Sequence, residues 1–191
     1  MRKGVWVKNL VIIVATLGIF LSQVVTGTAA AASMTPFGQE RFAHAHATYV
    51  ITTKSAYYRG VWQSAIKAWN ATGVFKFEKS HSRNAQIDLD TNRGQRAAAM
   101  GDDVGLTDYW ARHYDMVAVL CALNPRLMHE FQYSRADEVH VAEHELGHAM
   151  GLDHNPSRRS VMYYENRSEG IQKVDIEGVY ERYLTPAGEA S

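Results

Sequence analysis

The sequence predicts an α+β domain: a twisted mixed sheet with two long helices and a short C-terminal part. Three observations carry this. Stretches such as "ATYVITT" and "VFKFEKS" are rich in β-branched and aromatic residues and alternate with polar ones. Val61, Trp62, Ala65, Ile66 and Trp69 recur at helical spacing and make one apolar face. A further helical pattern begins at Ser134 and stops against Gly151, and a shorter one follows near the C-terminus.

Residues 1–32 read as an export signal. Arg2, Lys3 and Lys8 precede an apolar run from Leu10 to Val25, and small residues then end in a cleavage site after Ala32. The run is short for a bilayer span, which favours cleavage over a retained anchor. The remainder, 33–191, is long enough to bury its own core and divides into an upper part, 33–151, and a lower part, 152–191. Residues 33–46 show no period, and Ala47 to Thr53 makes the first strand. The first helix runs from an N-cap at Ser55 to a stop at Gly73. "VFKFEKS" and "AQIDLDT" supply two more strands. Residues 91–113, rich in Gly, Asp and Arg, read as a long loop. Met116 to Leu123 is an apolar strand closed by Asn124-Pro125.

The second long helix opens with Ser134 and Asp137 at capping-box spacing and should bury Val139, Ala142, Leu146 and Ala149. "KVDIEGVYERYL" makes the last helix, with Val174, Val179, Tyr180 and Tyr183 inward. The predicted order is β, α, β, β, β, α, α.

Charge and cysteine content narrow the functions. The formal net charge is zero, but the leader carries three cations and no acid, so the remainder is mildly acidic. No basic patch points to nucleic acid, and no membrane association is expected once the leader is removed. Cys121 is the single cysteine, so an intrachain disulfide is impossible. A buried place in its apolar strand suits it.

The chemistry lies in "HELGHAMGLDH", His144 to His154. Residues i and i+4 of a helix share a face, so His144 and His148 can hold one ion. Three neutral imidazoles plus a water is the ligand set of a catalytic zinc. Glu145, beside the first histidine, can take a proton from the metal-bound water without binding the metal. A continuing helix would carry residue 154 away. Gly151 can turn the chain and bring His154 back as third ligand, while Gly147 gives room for close packing. His140, one turn earlier on the same stripe, borders the cleft or packs.

Other sites are open to two readings. His44 and His46, with His81 or His113, fit a second metal or plain exposed histidines. Asp102 and Asp103 fit a structural Ca2+ site or a solvated turn.

The eleven-residue stretch is similar to the metzincin signature, H-E-x-x-H-x-x-G-x-x-H. "SVMYY", with Met162 eight residues after His154, and the later "VDIEGVY" resemble the matrixin branch, the matrix-metalloproteinase-like enzymes. The motif-bearing match covers about 140–181. The resemblance implies a metzincin-like catalytic domain, a secreted monomeric zinc endopeptidase acting on peptides or proteins. In it His144, His148 and His154 bind zinc, Glu145 is the general base and Met162 floors the site. It also implies an edge strand that holds extended substrate, expected at Met116 to Leu123.

Departures accompany it. No cysteine precedes Cys121 to block the zinc. Tyr164 stands where proline is usual, at the spacing of a tyrosine that reaches zinc in related branches, and it fits either that role or a pocket wall. The leader, the small size and the missing cysteine fit an exported bacterial member. Two rival functions remain at this point: a zinc hydrolase of another amide, such as cell-wall peptide, and a zinc- or peptide-binding module without turnover.

Overall fold

The computed structural model describes residues 33–81, 84–92 and 100–191. The expectations for the leader, 1–32, and for residues 93–99 lie outside these. Five strands form one sheet in the order β2-β1-β3-β5-β4. They are β1 His46–Ile51, β2 Lys76–Lys79, β3 Ile87–Thr91, β4 Gly105–Arg112 and β5 Asp115–Leu123. β1, β2, β3 and β5 run parallel, and β4 pairs antiparallel with β5. Four helices accompany them among the described residues: α1 Ala56–Thr72, α2 Pro125–Glu130, α3 Arg135–Ala149 and α4 Lys173–Leu184.

α1 forms where its sequence signals place it. Ser55 accepts the Tyr58 amide at 3.3 Å, and Gly73 ends the helix in the left-handed region. Its five predicted apolar residues are all buried. Two of them also position neighbours: the Trp62 indole donates to the Asp90 carbonyl at 3.0 Å, and the Trp69 indole to the Glu143 carbonyl at 2.8 Å. The latter bond fixes α1 against the middle of α3. Truncating either ring to Ala would cost about 3–5 kcal/mol.

α3 opens with the expected capping box. Asp137 N–H donates to Ser134 at 3.2 Å, and Ser134 N–H donates to Asp137 at 2.8 Å. Its middle, Val141 to Gly147, is buried on every side, since sheet, α1 and the C-terminal part enclose it. Val139 is only half-buried, and Val141 takes the inward place expected for it.

The long loop expected over 91–113 is corrected at its C-terminal end, because Gly105–Arg112 is a strand. It joins β5 through a tight turn at His113 and Tyr114, whose φ angles are 51° and 68°. Such a turn ordinarily uses Asn and Gly, and most of β4 is exposed, so neither a turn signal nor apolar alternation marked it. The substrate edge is corrected with it. Met116–Leu123 lies inside the sheet, between β3 and β4, and among the described residues the edge on that side belongs to β4. α2 is an additional short helix, capped by Asn124 accepting the Leu127 amide at 3.3 Å. Among the described residues the order of these elements is therefore β, α, β, β, β, β, α, α, α.

The C-terminal helix turns an unexpected face inward. Val179 is buried as predicted and Tyr183 packs against the core, but Val174 is only half-buried and Tyr180 is 55% exposed. The buried places go to Asp175 and Arg182, because α4 packs on main-chain polar groups. The Arg182 guanidinium donates to the carbonyls of Gly38, Thr185, Pro186 and Glu189. It thereby binds the segment before β1 to the chain after α4. Phe37 and Phe42 of that segment, which showed no period, are buried. No helix among the described residues is long and apolar enough to cross a membrane.

Candidate metal centre

α3 carries His144 and His148 on one face, with their Nε2 atoms 3.1 Å apart. The helix then ends. Gly151 adopts φ 98°, and a Cβ there would lie 2.6 Å from the Glu40 carbonyl oxygen. Both facts require glycine. The reversed chain brings His154 Nε2 to 3.2 Å from that of His148. The same turn presents the Leu152 carbonyl to His148 Nδ1 at 2.8 Å, so one reversal delivers a ligand and orients another.

The tautomers follow from these partners. A carbonyl only accepts, so Nδ1 of His148 carries the proton, and so does Nδ1 of His144, which meets the Val161 carbonyl at 2.7 Å. Each then aims an Nε2 lone pair at the common point. Burial holds His144 neutral, with its pKa down to about 3, and His148 likewise, down to about 4. Converging lone pairs repel unless a cation lies among them. The donor set, the convergence and the neutral state therefore fit zinc. Among the described residues these three histidines are the one group of His, Cys, Asp or Glu whose ligand atoms converge in this way.

Exposure is graded along the triad. His144 is buried, His148 half-buried and His154 exposed, which leaves the centre open on one side. A cavity of about 270 Å³ opens there, lined among others by Val104, Leu106, Thr107, Val141, Glu145 and Tyr164. Glu145 is buried beside His144, and burial pushes its carboxyl up to about 8, against the pull of the Thr107 hydroxyl. Tyr164 is 62% exposed and forms part of the cavity wall, its ring 4.8 Å from that of Tyr163.

The turn beneath the triad is held from α4. Met162 is fully buried, and a Cβ on Gly147 would collide with its sulfur, so the helix packs directly on this methionine. Asp175 accepts from Thr35 at 2.6 Å, from the Ser160 hydroxyl, from the Val161 amide at 2.9 Å and from the Gln172 amide at 2.9 Å. That fixes the very residue whose carbonyl orients His144. Asn166 donates to the same carbonyl at 3.1 Å. The sequence reading missed the parts played by Asp175, Asn166 and Thr107. Only "VDIEGVY" offered a signal, and it did so by resemblance.

The other candidates do not assemble. His46 meets Glu78 at 3.2 Å on the surface, His81 is exposed, and His113 lies in the hairpin turn. Asp102 and Asp103 are exposed before β4, and among the described residues no third ligand joins them. His140 Nδ1 lies 3.4 Å from the Arg167 carbonyl. Cys121 is fully buried, and burial raises its thiol so that it stays protonated.

The family model described as Matrixin matches residues 39–184. A search of curated proteins finds no match.

The metal-free site has a distinctive pH response. Glu143 and Glu145 are raised from 4.5 to about 7 and about 8, mainly by burial. Their contribution is present at low pH and lost as pH rises through those values. His144 and His148 are lowered from 6.5, so theirs is present above 6.5 and lost as pH falls below it. Chelated protein should therefore melt higher near pH 6.5 than at about pH 8.5. Zinc should reduce that gain, since a dication beside Glu145 lowers its carboxyl pKa. Thermal melts with and without chelator check this, and a chelated protein that is more stable at the higher pH would contradict it.

Proposed function

We propose that this chain, which belongs to the matrixin family of zinc metalloendopeptidases, is secreted and cleaves extended peptides with Glu145 as its general base. The observation that carries the reading is the convergence of three Nε2 atoms, 3.1 and 3.2 Å apart in succession, beside a buried carboxylate. His144, His148 and His154 would hold the zinc. When bound, zinc supplies a Lewis acid that polarises a carbonyl and makes water more acidic.

The chain's own residues do the rest. Among the described residues no strand pairs with the outer side of β4, and an extended peptide adds there as a further strand. The cavity beside the triad receives a side chain of that peptide. Glu145, shielded from bulk water, takes a proton from the attacking water and passes it to the departing amine. The graded exposure of the triad leaves the metal open to substrate on the His154 side while His144 stays buried.

Two variants separate metal binding from proton transfer. Glu145→Gln should keep about one zinc per chain and lose roughly 10²–10⁴-fold in peptide turnover. His154→Ala should lose zinc affinity and, because bound metal stabilises the fold, melting temperature. Elemental analysis, melting and turnover on a peptide library report these, and a Glu145→Gln enzyme at the wild-type rate would overturn the reading.

Secretion rests on the order of cations, apolar run and small residues in 1–32. Protein recovered from culture medium should begin between about residues 30 and 36. Recovery only in membranes with Met1 intact would contradict it.

A further inference from the structure

We propose that Thr107 is a positioning residue: its hydroxyl fixes the Glu145 carboxylate, while its main chain belongs to the edge that receives the substrate. The inference rests on Glu145 being the base. The Thr107 hydroxyl lies 2.7 Å from Glu145 Oε2 and 3.0 Å from the Glu145 carbonyl. It has one proton to give, and the carboxylate oxygen is its nearest acceptor. Cys121, protonated and 3.8 Å from that same carbonyl, can donate to it, which leaves the threonine proton for the carboxylate. Gly105 closes the other flank, since a Cβ there would collide with Oε1. The carboxylate is thus held between two residues of one strand, at a buried place where few rotamers fit.

The register of β4 gives this contact a second meaning. The Asn124 amide donates to the Val104 carbonyl at 2.8 Å, so Val104 turns its main-chain groups toward β5. Alternation then directs those of Gly105, Thr107 and Tyr109 to the free edge. Thr107 and Cys121 face each other as a pair, and the hydroxyl lies 3.5 Å from the sulfur. One residue therefore offers its backbone to the peptide and its side chain to the base. The spacing between scissile bond and proton acceptor is set within a single strand, not across the joint between sheet and helix.

The test is Thr107→Val, which keeps the shape and removes the hydroxyl, alongside Thr107→Ser, which restores it. The backbone edge and the zinc ligands are untouched, so KM should stay within about twofold and zinc at about one per chain. A mispositioned base should lower kcat roughly 10–100-fold. Thr107→Ser should recover to within about threefold of wild type, because its hydroxyl reaches the same oxygen. Should valine pack badly, Thr107→Ala removes the hydroxyl without bulk and must show the same split. A valine or alanine variant with wild-type kcat would overturn the inference, as would a serine variant as slow as valine or a loss that follows zinc content. A dead Glu145→Gln enzyme beside a fully active Thr107→Val would sink this inference alone. An active Glu145→Gln would sink the base assignment beneath it.

Discussion

The structure turns on keeping three imidazole lone pairs aimed at one point. Left alone, such an arrangement would spread, because nothing joins the rings to one another. It is held by what stands behind them. His144 and His148 each give an Nδ1 proton to a backbone carbonyl, and those carbonyls belong to two different turns. One is the reversal at Gly151. The other is the Ser160–Met162 turn, fastened by Asp175 from the C-terminal helix. The helix carrying the ligands is itself pinned by the Trp69 indole at its middle. Apart from the bond between His148 and Leu152, four residues apart, these bonds join segments well separated in sequence, so the site is a property of the whole domain.

The lower part of the chain makes sense on the same grounds. Asp175 accepts four donors and Arg182 donates to four carbonyls, and both are fully buried. An isolated buried charge is expensive, and satisfaction by several hydrogen bonds is the usual compensation. Here the two charges tie the segment after residue 33, the methionine turn and the last residues of the chain onto one helix. The cleft needs a firm floor, because a ligand displaced by a fraction of an ångström would no longer share the ion.

What the sequence revealed follows from how far each signal reaches. The helices α1 and α3 were legible because caps and apolar spacing are local: Ser55, Gly73, Ser134 and Asp137 lie beside the elements they bound. The triad was legible because two ligands lie four apart on one helix and Gly151 marks the turn to the third. β4 was not, since its turn uses His113 and Tyr114 in place of the usual Asn and Gly, and its residues are too exposed to alternate. The substrate edge was misplaced as a direct consequence. Thr107 was lost with its strand, 38 residues from the carboxylate it touches. The inward face of α4 was misjudged because hydropathy favours Tyr180 over Asp175 and Arg182, whose partners lie far away in the chain.

The most direct test of this account is the position of the metal. A crystal of the zinc-loaded protein, with anomalous scattering recorded at the zinc edge, locates the ion and its ligands. The account predicts one peak at about 2.0–2.1 Å from Nε2 of His144, His148 and His154, with a fourth position open to the cleft. It also requires Nδ1 of His144 and His148 to remain on the carbonyls of Val161 and Leu152. A zinc held by only two of the histidines, bound through Nδ1, or ligated directly by Glu145 would contradict it.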